Sequence, residues 1–226
     1  MYSIIKRLSD FFSSAIATLI LSPLLIPILI GLKLTGEGYI FYKQKRIGLK
    51  NTYFNILKFA TMLKDSPNIG TGSITLRDDP RITPMGGFLR KTKINELPQI
   101  FNVLKGEMSV VGPRPLVDRT FNAYPKSVQE VVYNSKPGIT GIGSIVFRDE
   151  EKEISDSNLP PHEHYAKYIA PYKGALEIWY QKNKSFYTDF MLIFLTAWVI
   201  LFPESQLTYK VFPDLPVREK ISAQTV

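Results

Sequence analysis

With 226 residues, 28 Lys+Arg against 20 Asp+Glu and a formal net charge of +8, the chain is long enough for one globular domain with its own core plus a membrane element. It has no cysteine, which excludes disulfide scaffolds, thiolate metal sites and cysteine nucleophiles. Nine of the basic residues lie in the first 64 positions, against only Asp10 and Glu37. Because they flank apolar sequence, they suit anionic phospholipid headgroups, at about 1 kcal/mol per basic residue near the surface, and not the continuous basic stripe that tracks nucleic acid.

Residues 11–32 form a run of 22 without a charge, about the length of a spanning helix. Ser22-Pro23 and Pro27 fall inside it, where proline removes backbone hydrogen bonds. Lys6 and Arg7 precede the run and Lys33 follows it, whereas a single span leaves its positive excess on one side. A helix broken at Ser22-Pro23 that dips into the bilayer and returns to the same face accounts for both features; a proline-kinked spanning helix is the alternative. The run is too long for a cleavable signal peptide, and no small-residue cleavage site follows it.

Tyr39-Ile40-Phe41-Tyr42 and Tyr53-Phe54-Asn55-Ile56-Leu57 read as strands joined through Gly48-Leu49-Lys50-Asn51 in a hairpin. Residues 64–84 are polar and read as a loop. Residues 95–104 read as a helix, with Leu97, Ile100, Phe101 and Leu104 at i, i+3, i+4 and i+7, Asn95 as N-cap and Gly106 closing it. Further helices are expected over 121–135 and 165–182, with a turn-rich loop over 136–143 and an acidic, polar stretch over 150–161. Phe190 to Phe202 is 13 residues, too short to span, and is expected in the interface with Trp198 at headgroup depth. Three parts follow: residues 1–36 in the membrane, 37–189 as the catalytic domain, and 190–226 as an interfacial helix and tail.

The chemistry concentrates at Asn95-Glu96, which a helix N-terminus would make attractive to anions. There Glu96 can hold a divalent cation, and Arg90, Lys91, Lys93 and Arg114 can neutralise phosphate oxygens. The bland reading is helix grammar, in which Asn caps and Glu is favoured in the first turn. Gly112-Pro113-Arg114-Pro115 reads as a rigid turn that pre-organises Arg114, or as a plain surface turn. His162-Glu163-His164 reads as a solvated loop, because i and i+2 diverge on a helix. Gly70-Thr71-Gly72 and Gly141-Ile142-Gly143 lack the strand-turn-helix setting of a nucleotide loop.

Together these segments resemble the bacterial sugar transferase family, the monotopic phosphoglycosyl transferases that act on polyprenyl phosphate. The resemblance runs nearly end to end. It is carried by Lys6-Arg7, Ser22-Pro23, Phe41-Tyr42-Lys43-Gln44-Lys45-Arg46-Ile47-Gly48, Lys58-Phe59-Ala60-Thr61-Met62 and Asp79-Pro80-Arg81-Ile82-Thr83. It continues through Gly87-Phe88-Leu89-Arg90-Lys91-Thr92, Glu96-Leu97-Pro98-Gln99, Val110-Val111-Gly112-Pro113-Arg114-Pro115 and Lys136-Pro137-Gly138-Ile139-Thr140-Gly141.

The resemblance implies a small mixed α/β (α+β) catalytic domain on the cytoplasmic face of the inner membrane, carried by a re-entrant helix-break-helix. It implies transfer of a sugar 1-phosphate from a nucleotide sugar, commonly a UDP-sugar, to polyprenyl phosphate with Mg2+, as the first membrane step of cell-surface glycan synthesis. It places Asn95 and Glu96 at the catalytic position, with Glu96 on the metal. Lys58, Arg81, Arg90, Arg114, Lys136 and Thr140 are then the substrate-binding candidates. The partners implied are membrane phospholipid, polyprenyl phosphate and the nucleotide sugar, with no nucleic acid; a homodimer is left open.

Two positions depart from the family pattern: Asn95 stands where the family has a nucleophilic Asp, and Ala60 where it usually has Arg. A neutral carboxamide caps a helix about as well as a carboxylate but is a poor nucleophile. Four readings stay open: an inactivating change, attack by Glu96, direct transfer in a ternary complex, or deamidation of Asn95. The rival function is a catalytically impaired membrane module that binds polyprenyl phosphate or recruits partners.

Overall fold

A computed structural model describes residues 2–69 and 79–218. The Gly70-Thr71-Gly72 stretch and much of the polar segment expected over 64–84 lie outside the described residues. The chain begins with helix α1 (Tyr2–Leu34), followed by the antiparallel hairpin of β1 (Phe41–Ile47) and β2 (Tyr53–Phe59), in register from Phe41↔Phe59 to Ile47↔Tyr53. The hairpin is the one expected, and its turn closes with Lys50 and Asn51 in the left-handed region, at φ 53° and 59°.

The interruption expected at Ser22-Pro23 is not present: helical backbone runs through both Pro23 and Pro27. Pro23 has no N–H for the Leu19 carbonyl, and the Ser22 hydroxyl donates to that carbonyl instead, at 2.8 Å. Membrane helices tolerate proline through such substitutions. Both limbs of α1 rest on the same body. At the N-terminal limb, Lys6 pairs with Asp189 at 2.6 Å and Asp10 accepts from the Val110 N–H at 3.1 Å. At the other limb, Ile28 and Leu32 bury against Phe59 and Leu89, while Leu19, Ile20, Ile26 and other large side chains between and beyond are exposed. Among the described residues α1 is the helix long and apolar enough to cross a bilayer.

Helix α2 (Pro84–Lys91) leads through Lys93, at φ 59°, into a 3-10 turn at Ile94–Glu96, and α3 follows at Gln99–Lys105. The expected start of this helix at Asn95 is therefore corrected to Gln99. An N-cap side chain takes the N–H of the second or third helical residue; Pro98 has none to give, and the Leu97 N–H is bonded to the Ile94 carbonyl at 3.0 Å. The carbonyls of Val103 and Leu104 at the C-terminal end of α3 accept from the Arg7 guanidinium of α1, at 2.6 and 2.8 Å, and the Val103 carbonyl also accepts the Gly106 N–H at 2.9 Å.

Strand β3 (Ser109–Val111) pairs in parallel with β4 (Gly138–Thr140), so the stretch expected as loop over 136–143 contains a strand. Between them lie α4 (Asp118–Asn122) and α5 (Lys126–Val131), two short helices where one was expected over 121–135, separated before Pro125. After β4 come α6 (Ile142–Val146), α7 (Glu150–Ser155) and α8 (Pro161–His164). A π-turn at Tyr165–Ile169 then continues into α9 (Ala170–Asn183). His162 and His164 thus sit on a helical turn and not in a loop.

Leu176, Trp179 and Tyr180 of α9 anchor the main core, with α10 (Phe186–Leu201) and α11 (Leu207–Val211) packed around it. One face of α10 buries Leu192, Leu195 and Val199; the other exposes Phe190, Ile193 and Ile200. The mixed helix-and-sheet domain with an apolar N-terminal helix agrees with the fold class expected.

Asn102 fixes how β2 sits on α3. Its side chain accepts from Leu57 N–H at 2.9 Å and donates to the Asn55 carbonyl at 2.8 Å and to Glu107 at 2.7 Å, while 2% exposed. Asn102→Ala leaves buried backbone groups unpaired and should destabilise the domain by about 2–4 kcal/mol. Chemical denaturation in detergent, followed by circular dichroism, measures this; an unchanged midpoint would refute the assignment.

Candidate active site

Glu96 is placed by the 3-10 turn, and its Oε1 is the meeting point of two cations: Lys58 Nζ from β2 at 2.8 Å and Arg114 Nη2 at 3.4 Å. Both bonds end on Oε1, so Oε2 remains for a further ligand. Burial acts to raise the Glu96 pKa, but Arg114, Lys58 and Lys93 outweigh it and hold the carboxyl well below the usual range. Burial, with Arg114 and Arg46 close by, pushes the Lys58 ammonium down to about 8 in spite of Glu96. Arg114 is raised, chiefly by Glu96.

Arg114 is held from its backbone outward. The Tyr133 hydroxyl donates to the Arg114 carbonyl at 2.8 Å and accepts the Leu116 N–H at 2.9 Å. Nearby, burial pushes the Glu177 carboxyl up to about 7. The turn itself lies against the β4 segment so closely that a Cβ on Gly112 would stand 2.3 Å from the Lys136 carbonyl oxygen, and one on Gly138 would stand 2.1 Å from the Gly112 nitrogen. Only glycine allows that approach. The two glycine-proline motifs thus form one backbone junction, and its effect is to aim Arg114 at Glu96.

These residues line a cleft of about 640 Å3. Its walls carry eight Lys or Arg side chains against four Glu, an excess that favours a multiply charged anion. All four carboxylates are engaged: Glu96 with Lys58 and Arg114, Glu150 with Lys173, Glu151 with Arg90 at 3.8 Å, and Glu37 with the Lys64 N–H. Asn95 also lines the cleft; it is buried, and its Oδ1 has no hydrogen-bond partner.

Lys58, Arg90, Asn95, Glu96 and Arg114 are therefore brought together, and three other candidates are not. Arg81 is buried against Asp79, at 2.6 and 2.8 Å, and also donates to the Ser66 and Ile69 carbonyls, so it organises its own loop. Lys136 stands beside Arg7 at the end of α3. The Thr140 hydroxyl bonds that of Thr196 in α10, at 2.6 Å. Arg46, quoted above only as part of a motif, also lines the cleft; burial and Arg114 push its pKa down to about 10. Its alternation partner on β1, Gln44, accepts from it at 2.6 Å, but strand periodicity alone does not distinguish such a residue from any surface arginine.

The family profile described as bacterial sugar transferase matches residues 1–203. The chain belongs to this family. A relative from Komagataeibacter xylinus, named undecaprenyl-phosphate glucose phosphotransferase, is 35% identical over 196 residues, covering 84% of this chain and 35% of its own length. An undecaprenyl-phosphate galactose phosphotransferase from Salmonella typhimurium is 32% identical over 212 residues, with 87% and 40% covered. The exopolysaccharide production protein ExoY of Rhizobium meliloti is 32% identical over 206 residues, with 84% and 83% covered. The chain thus spans well under half of the first two relatives and most of the third.

The family assignment agrees with the resemblance drawn from the motifs. The Lys58 shift sets a pH dependence for the cleft. As pH rises through about 8, the ammonium loses its proton and the cleft loses positive charge, so affinity for inorganic pyrophosphate should fall. The unfolded chain keeps that proton to the ordinary value of 10.5, so the stability contribution of this group rises between about 8 and 10.5 while anion binding falls. Titration calorimetry across pH measures the first effect, and Lys58→Arg should move the decline to higher pH. Identical profiles for the two proteins would assign the decline elsewhere.

Proposed function

We propose that the chain transfers a sugar 1-phosphate from a UDP-sugar to polyprenyl phosphate, releasing nucleoside monophosphate, at the start of cell-surface glycan assembly. The observation that carries this reading is the net-basic cleft around Glu96, in a domain that shares its surface with two apolar helices. Two of the relatives named above are undecaprenyl-phosphate sugar phosphotransferases, which supports a polyprenyl phosphate acceptor and a sugar phosphate as the group transferred.

In this reading Arg114, Arg90 and Lys58 hold the diphosphate of the donor, with Arg46 behind them. An oxygen of the acceptor phosphate forms the new bond to the β-phosphorus, and the bridging P–O bond breaks, its electrons leaving with the nucleoside monophosphate. The chain supplies position and charge for this step. Asn95, a neutral amide, orients substrate with its unpaired carbonyl and is not itself the attacking group.

The donor set fits Mg2+, which keeps several waters and takes one or two carboxylates with substrate phosphates. No group of three or more metal-ligating side chains occurs among the described residues, so Glu96 Oε2 and the donor diphosphate would hold the ion. Bound there, Mg2+ would neutralise charge on the phosphates.

We further propose that the membrane is the inner membrane and that the domain faces the cytoplasm, where nucleotide sugars are available. A helix that crossed the bilayer would leave its ends about 30 Å apart on opposite sides. Because Lys6 to Asp10 and Ile28 to Leu32 both pack on one domain, α1 is read as bending at Pro23 and Pro27 while staying helical, and as entering and leaving by the same face.

Purified protein with Mg2+, a labelled UDP-sugar and polyprenyl phosphate should yield labelled lipid and nucleoside monophosphate. Glu96→Gln keeps the shape, removes the charge, and should lower turnover by roughly 10²–10³-fold. Absence of product with any common UDP-sugar would favour the non-catalytic membrane module.

A further inference from the structure

The cleft carries a second polar cluster beyond the ions at Glu96, built by α7, α9 and the π-turn that precedes α9. Helix α7 has no buried residue and is tied down by charge: Glu151 meets Arg90 at 3.8 Å, and Glu150 meets Lys173 through Oε2. Lys173 is 2% exposed, and its Nζ stands 5.9 Å from the ring centre of Tyr165. Glu150, Lys173 and Tyr165 all line the cleft. After Glu96, Glu150 is the carboxylate that most raises the Arg114 pKa, so the cluster adjoins that guanidinium.

Two features set this cluster apart from ordinary core polarity. The Tyr165 hydroxyl is buried and unpaired: Tyr124 lies within reach of it, but the two are not in hydrogen-bonding geometry. A buried hydroxyl normally has a partner, and leaving one unpaired costs about 1–3 kcal/mol. Tyr165 also opens the π-turn, a local irregularity that recurs at functional sites. The second feature is that Lys173 has two carboxylates. Glu177 faces it from the interior, and both side chains pack on Gly143, where a Cβ would stand 2.4 Å from Glu177 Oε1 and 3.5 Å from Lys173 Cγ. Glu150 can therefore exchange the ammonium for a ligand without stranding a buried charge.

We propose that Tyr165 and Glu150 bind hydroxyls of the sugar being transferred, and so select which UDP-sugar is used. The proposal rests on the transferase reading above and adds residues that the phosphate chemistry does not require. The sugar is bonded to the β-phosphate, the one that reacts beside Glu96 and Arg114, whereas the nucleoside stands one phosphate further off. A cluster adjoining Arg114 therefore meets the sugar first. A phenol donates and accepts and a carboxylate accepts, which suits the hydroxyls of a hexose. A site built to hydrogen-bond a hydroxyl rejects analogues that cannot supply it, because its own buried groups stay unpaired.

The test compares UDP with UDP-sugars on wild-type protein, Tyr165→Phe and Glu150→Gln, in detergent with Mg2+. Calorimetry measures the Kd for UDP, which lacks the sugar. Steady-state kinetics measures kcat/KM for UDP-glucose, UDP-galactose and their N-acetylated counterparts, with polyprenyl phosphate as acceptor. Both variants should keep the UDP Kd within about twofold and lose about fivefold or more in kcat/KM for the sugar that wild type prefers. The ratio between best and worst sugar should narrow by roughly threefold or more. Tyr165→Phe removes an unpaired hydroxyl, so its thermal midpoint should equal or exceed that of wild type. A lower midpoint with unchanged kinetics would make the hydroxyl structural and overturn the proposal. A loss of UDP affinity equal to the loss toward UDP-sugars would assign the cluster to the nucleotide, which also overturns it. If Glu150→Gln does not fold, Tyr165→Phe decides by the same criteria. If wild type transfers sugar and neither variant changes kcat/KM, the sugar assignment is wrong and the transferase reading stands. If wild type transfers none, the transferase reading fails first.

Discussion

The contact on which the site depends is the ion cluster at Glu96 Oε1, where a lysine from the hairpin and an arginine from the Pro-Arg-Pro turn converge on one carboxylate. Taken as isolated pairs, such half-buried contacts contribute little to stability, because desolvation and solvent screening offset most of the attraction. Their value here is geometric. Lys58, Glu96 and Arg114 come from three segments far apart in sequence, and the cluster fixes those segments relative to one another. It also leaves the surroundings with more positive than negative charge, which keeps them poised for phosphate.

What supports the cluster is mostly backbone. The Arg114 carbonyl and the Leu116 N–H are both held by the buried Tyr133 hydroxyl, and Gly112 and Gly138 let two chain segments touch where a Cβ would collide. Asn102 does the same for β2, bonding the residue next to Lys58. An arginine or lysine carries several rotatable bonds and loses about 2 kcal/mol of rotamer freedom when fixed. Fixing the backbone beneath it confines that loss to the side chain. The same logic joins the domain to α1, whose Arg7 fills the open carbonyl end of α3 while Lys6 meets the buried Asp189.

The membrane-facing features were legible wherever the signal is local. Charge-free length, flanking basic residues and the proline positions identified α1, and the alternating strands around Gly48 gave the hairpin. Local reasoning failed where a neighbouring residue changes the hydrogen-bond count. Asn95 looks like a cap until Pro98 is seen to lack a donor and the Leu97 N–H to be bonded to the Ile94 carbonyl. Ser22-Pro23 looks like a break until the Ser22 hydroxyl is found on the Leu19 carbonyl. A run of fifteen residues from 121 contains a helical pattern, yet Pro125 divides it into two helices.

From the sequence itself came the family, an N-terminal segment long and apolar enough to cross a membrane, and the set of charged residues from which the cleft is drawn, because composition and motif order are properties of the chain alone. Tertiary structure decided which of those residues meet. Arg81 and Arg114 are both arginines beside proline, and nothing in their neighbours separates them. One is turned inward on Asp79 and the other reaches Glu96. That difference arises from long-range packing of the Gly112 and Gly138 segments, and a contact between positions so far apart in the chain leaves no periodic trace in either.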